Sequence, residues 1–130
     1  MAARAERERL RAASFKRSDC PLACALDVFG DKWSLLIVRD LLLGRSSYSE
    51  FLRAGEGIPT NILARRLTRL AEAGLVEKRS SRDSGRRFEY RLTVTGRRLG
   101  PIVRALVEWG RAQISGTRIR APHGKPPPRR

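Results

Sequence analysis

A chain of 130 residues has room for one ordinary domain, and 28 Lys and Arg against 13 Asp and Glu leave it at +15. Such an excess repels itself in a compact state and points to a polyanionic partner, nucleic acid first and an anionic membrane surface second. No apolar stretch nears the roughly 18 residues of a membrane span, and Glu6 and Glu8 stand where a signal peptide would be apolar, so a cytoplasmic protein is expected.

Residues 1–19 read as a basic, helix-prone extension: Ala, Arg and Glu favour helix there but offer little apolar surface to hold it. A short helix is predicted from Pro21 to Phe29, because Pro suits a first helical position and Gly30 closes the segment. The next, from about Asp31 to Leu43, is apolar nearly all round and reads as the central buried helix. Ser47-Tyr48-Ser49-Glu50 fits a capping box and predicts a third start, carrying Phe51 and Leu52 inward.

Gly55-Glu56-Gly57 is a turn. From Pro59 to Ala73, Leu63, Leu67, Leu70 and Ala71 recur at helical spacing, which sends Asn61, Arg65, Thr68, Arg69 and Glu72 to the opposite face. Gly74 ends this helix, Leu75 and Val76 start a strand, and residues 81–87 form a turn-rich basic loop. Phe88, Tyr90, Leu92 and Val94 then alternate with polar residues, the period of a half-buried strand. A last helix from Val94 or Arg97 to Gln113 follows, with Thr93 or Thr95 as its cap and Pro101 in its first turn or at a kink. The chain ends in a basic stretch, 115–130, with too little apolar content to fold, so a disordered tail is expected.

Charge follows this layout. Residues 58–98 hold 11 basic and 4 acidic side chains, whereas 20–57 hold 4 basic and 5 acidic ones. The excess therefore sits on the fourth helix and the hairpin. Helix, short helix, turn, Arg-rich helix and basic hairpin in this order spell a winged helix-turn-helix over 20–114, mainly α with a small β-hairpin wing (α+β) and an additional C-terminal dimerisation helix.

The ordered set Cys20-Pro21, Leu26, Gly30, Lys32-Trp33, Tyr48-Ser49-Glu50-Phe51, Gly57-Ile58, Leu63, Leu67, Leu70, Gly74-Leu75-Val76, Glu89-Tyr90, Leu92-Thr93, Gly96, Leu99, Pro101, Leu106 and Trp109-Gly110 resembles the HxlR family of bacterial winged helix-turn-helix regulators. The match covers about residues 20 to 110. Pro59-Thr60 stands where many relatives place a Ser cap, and Gly30-Asp31 where the family often has paired glycines, which makes Asp31 a candidate cap of the central helix. The resemblance implies a cytoplasmic homodimer that binds palindromic promoter DNA and represses or activates transcription, often in response to small molecules or oxidants.

Candidate DNA contacts are Thr60, Asn61, Arg65, Arg66, Thr68 and Arg69 on the Arg-rich helix and Arg82, Arg86 and Arg87 in the loop. In a major groove Arg65 suits guanine and Asn61 adenine, while Arg66 and Arg69 suit phosphate. The plain alternative is a solvated helix face and a loop kept soluble by charge. Leu99, Ile102, Val103, Leu106 and Trp109 form a stripe wider than one small core needs, and are the expected dimer interface.

Cys20, immediately before Pro21, occupies a helix N-cap where the dipole favours thiolate, which suits oxidant or electrophile sensing. Cys24 lies one turn on. The alternative is two thiols packed as small apolar groups. Trp33, Trp109, Phe51 and Tyr90 line a ligand pocket on one reading and fill the core on the other. No metal or cofactor is expected: one His, His123, and a Cys-x3-Cys pair assemble no zinc set. Nor does the chain carry a phosphate loop, a Gly-x-Ser-x-Gly elbow or paired His, so an enzyme is not expected. The rival to a sequence-specific regulator is a winged helix that binds nucleic acid without sequence preference, or docks protein.

Overall fold

The computed structural model describes residues 18–80 and 88–119. The extension before Ser18, the basic loop with Arg82, Arg86 and Arg87, and the end from residue 120 with His123 lie outside the described residues. Six helices and one hairpin follow in order: α1 (Pro21–Phe29), α2 (Ser34–Leu42), α3 (Tyr48–Leu52), α4 (Thr60–Glu72), β1 (Val76–Ser80), β2 (Phe88–Leu92), α5 (Val94–Arg97) and α6 (Gly100–Gln113).

The central helix starts three residues later than its apolar run suggested, and Asp31 is the reason. Its Oδ2 accepts from the Trp33 and Ser34 N–H groups, both at 3.0 Å, and its Oδ1 accepts from Ser34 Oγ at 2.5 Å. One carboxylate thus satisfies the first amides of α2 and holds 31–33 in a turn. Burial opposes ionisation of Asp31, but these hydrogen bonds, with Arg66 nearby, outweigh it and keep its pKa below the usual 3.8.

At α3 the expected capping box is complete: the Glu50 N–H donates to Ser47 Oγ and the Ser47 N–H donates to Glu50 Oε1. Phe51 is thereby fixed inward, against the rings of Tyr90 and, beyond it, Tyr48. The turn that follows takes positive φ at Gly55 (92°) and Gly57 (72°), conformations that a side chain disfavours. From there α4 runs with Leu63, Leu67 and Leu70 fully buried. Each such leucine contributes about 1.5 to 3 kcal/mol relative to exposure.

A two-stranded ribbon is marginal alone, so this one is held by its neighbours. β1 and β2 pair antiparallel from Val76 opposite Leu92 to Ser80 opposite Phe88. The Tyr90 N–H donates to Ser46 O at 2.8 Å, and Thr93 donates from its N–H to Leu75 O and from Oγ1 to Gly74 O. Gly96 lies so close to β1 that a Cβ there would stand 2.1 Å from Leu75 O. Alternation holds for Tyr90 and Leu92 but fails at both ends. Phe88 is exposed beneath Lys78 Nζ, 4.0 Å from the ring centroid, and Val94 already belongs to α5.

The expected last helix is two. Thr93 caps α5, accepting from the Gly96 N–H at 3.0 Å, and Pro101 sits in the first turn of α6. Past α6 the described residues continue to Ile119: Thr117 Oγ1 donates to Ile114 O, and Gly116 to Ile119 return beside α2 and α6. The core joins Ile37 and Val38 of α2 to Phe51, the α4 leucines, Tyr90, Leu92, Leu99 and Val103.

Candidate nucleic-acid interface

With the three leucines turned inward, the exposed residues of α4 are Thr60, Asn61, Arg65, Thr68, Arg69 and Glu72. At about 100° per residue Asn61, Arg65, Thr68 and Glu72 fall on one stripe directly opposite the leucines. Thr60 opens the helix. Among the described residues the Arg65 side chain has no ion pair or hydrogen bond, and it stands on a helix whose other side is fixed by packing.

Arg66 and Arg69, the expected phosphate contacts, each have a partner within the chain. Arg66 is half-buried, and its Nε lies 3.1 Å from Asp31 Oδ2, an ion pair without hydrogen-bond alignment. Its place on α4, about 100° further round from Arg65, turns it toward the segment before α2. Arg69 is exposed, yet its Nη2 donates to Asp27 O near the end of α1 at 2.5 Å. Both therefore brace the helix against α1 and its exit. Periodicity predicts which face of a helix a residue occupies, and says nothing of a carbonyl 42 residues earlier.

On the hairpin, Lys78, Arg79 and Arg91 are exposed, with Arg91 Nε 3.1 Å from Glu77 Oε2. These strand cations were not singled out from sequence, although the polar alternation of the strands marks them. Near the end of α2, Asp40 collects three bonds at one oxygen, from Arg39 Nε and Nη2 and from Arg45 Nη1. Burial raises its pKa above 3.8 even against those two arginines. Arg39 also donates from Nη1 to Glu56 Oε1 at 3.0 Å, so the end of α2 is tied to the turn that leads into α4.

The expected dimer stripe divides in two. Leu99 and Val103, at 7% and 9% exposure, are used in the protomer's own core, because α6 packs that side against α2. Ile102, Leu106 and Trp109 remain 40%, 52% and 62% exposed on the other side. The four aromatics considered for a ligand pocket also part company: Phe51 and Tyr90 are core, Trp109 is exposed on α6, and Trp33 lies beneath Lys32 Nζ. Cys20 is exposed at the α1 N-cap. Cys24 is half-buried, with Sγ donating to Ser18 O at 3.2 Å, and neither cysteine is in a disulfide. Among the described residues no group of His, Cys, Asp and Glu is placed to hold a metal ion, and no helix is long and apolar enough to cross a membrane.

Comparison with known proteins agrees with this geometry. The chain is 33% identical over 94 residues to the HTH-type transcriptional regulator YybR of Bacillus subtilis, covering 72% of this chain and 75% of YybR. It is 37% identical over 86 residues to an HTH-type transcriptional regulator of Mycobacterium tuberculosis strain H37Rv, covering 66% of this chain and 54% of that one. The chain thus spans about half the length of the mycobacterial relatives it matches. Among solved structures, PA1607 superposes with a TM-score of 0.74 at 40% identity, covering 89% of this chain and 84% of that one. The redox regulator HypR in its oxidized form superposes at 0.67 with 33% identity, covering 72% of this chain and 97% of HypR. The model of the HxlR-like helix-turn-helix family matches residues 28–118, and the chain belongs to that family.

Proposed function

We propose that the protein works in the cytoplasm as a homodimer that reads a palindromic promoter site, with α4 of each copy in a major groove. The observation that carries this is the unengaged stripe Asn61, Arg65 and Thr68 on a helix braced from behind by Arg66 and Arg69. Base edges are read from such a helix, while Arg82, Arg86 and Arg87 supply backbone contacts at the wing. Exposed Ile102, Leu106 and Trp109 pair two copies, setting half-sites about 34 Å or a multiple apart. A library of random duplexes, selected on the protein and sequenced, tests it. An inverted repeat bound far more tightly than random DNA across salt is the expected result, whereas equal affinities and a bare salt slope identify an architectural binder.

A second reading has its own support: Cys20 is exposed at the N-cap of α1, and HypR, which shares the fold at 33% identity, is a redox regulator. Arg69 links α1 to α4, so modification at Cys20 reaches the reading helix through one hydrogen bond. Mild oxidation should release DNA reversibly in the parent and leave Cys20→Ser bound. A variant that responds like the parent removes the thiol from the mechanism.

A further inference from the structure

A groove of about 850 Å³ lies between α2, α6 and the returning segment 116–119, within the range of small-molecule sites. Leu42, Leu43, Val103, Val107 and Ile119 give it an apolar floor. Its charged rim is uneven. Arg39 is paired with Glu56 and Glu108 with Arg111, which leaves Arg104 and Arg118 with no carboxylate partner among the described residues. An apolar trough edged by two unpaired cations favours a ligand with a hydrocarbon body and an anionic head.

A second copy of the chain is the poorer occupant. The groove is lined by Gly100, Val103, Arg104 and Val107 of α6, whereas exposed Ile102, Leu106 and Trp109 lie roughly 180° round the same helix. Pairing through those three side chains points the groove away from the partner.

We infer that this groove binds an amphipathic organic anion, a medium-chain or aryl carboxylate, with its head at Arg104 and Arg118 and in competition with Glu56 for Arg39. Glu56 sits between the two positive-φ glycines ahead of α4, so drawing Arg39 away loosens the turn that aims the reading helix. The inference deepens the regulator reading and rests on it only for that consequence, since ligand binding is measured without DNA.

Calorimetry of the full chain with decanoate, and with decanol as its uncharged counterpart, tests it. Decanoate should bind once per chain, and decanol about tenfold more weakly or worse, the value of one charge-assisted contact. Arg104→Gln with Arg118→Gln should weaken decanoate about tenfold or more, while Arg97→Gln with Arg98→Gln, which removes the same charge from exposed positions that do not line the groove, should not. Glu56→Gln should tighten binding, and Val107→Trp should fill the trough and abolish it. The two double variants alter exposed side chains and keep the test decisive if the tryptophan variant does not fold. Equal binding of decanol, equal loss in both double variants, or dissociation of a dimer by Arg104→Gln overturns the inference, the last because it assigns the groove to a second copy. Failure of the protein to select an operator leaves these titrations intact, so the two readings fail on separate measurements.

Discussion

Helices α4 and α6 are nearly equal in length, 13 and 14 residues, and each buries one side in the same core, yet their outer sides are opposites. The outer side of α4 is Asn, Arg, Thr and Glu; that of α6 is Ile102, Leu106 and Trp109. An amphipathic helix normally turns a polar side to water; α4 does so, whereas α6 also turns these three large apolar side chains outward. The inner sides serve one fold, and the outer sides suit the two different partners proposed above, DNA and a second copy.

The inner side of α4 gives the largest expected effect. Leu67→Ala should cost about 2 to 5 kcal/mol in urea denaturation and abolish DNA binding only by unfolding the domain. On the outer side of α6, Trp109→Lys should keep the thermal transition and split the dimer in sedimentation. A variant that stays dimeric with its fold intact makes the bare side of α6 a surface for something else, and the contrast with α4 then loses its meaning.

Smaller changes separate residues within α4. Arg65→Ala should cost about 1 to 3 kcal/mol on the selected site and relax preference at one base position. Arg86→Ala, in the loop, should weaken every sequence alike and lower the salt slope by about one. Equal losses on selected and random DNA for Arg65→Ala count against base reading.

The smallest effect distinguishes the two ends of α2, one facing each helix. Asp31, beside Arg66 of α4, has a lowered pKa, so its contribution to stability is present above 3.8 and lost as pH falls through the folded value. Asp40, bonded to the Arg39 that lines the α6 groove, has a raised one. The folded state then holds its proton more readily, and stability falls as pH rises from 3.8 through the folded value. Carboxyl carbon shifts followed by NMR should show Asp31 titrating before Asp40 on raising pH, and the reverse order contradicts both assignments.

Much of this was legible in residue order. The capping box, the α4 leucine period, the turn glycines and the helix-to-hairpin succession are local signals, set by residues within a few positions of one another. Where sequence reading fell short, the deciding contact was distant or competing. Arg66 reaches Asp31 and Arg69 reaches Asp27 O, contacts that span tens of residues, whereas Asp31 and Thr93 cap α2 and α5 as their local sequence indicated. Leu99 and Val103 differ from Ile102 and Leu106 only in which side of α6 meets α2, and a stripe of apolar residues does not say how much of itself one core will take. The groove needs helices about 60 residues apart to come together, and no spacing announces it.

The bond from Tyr90 N–H to Ser46 O, with the clasp of Thr93 and Gly96 on β1, has one further consequence. It joins the approach to α3 to the base of the hairpin, so a shift of α4 against that piece falls on the Gly55-Glu56-Gly57 turn between them. In the dimer proposed above, the separation and rotation of two copies is a second freedom, and DNA registers it in whole helical turns. Such a reader is retuned by changing the ruler between its heads, with the lettering on each left as it was.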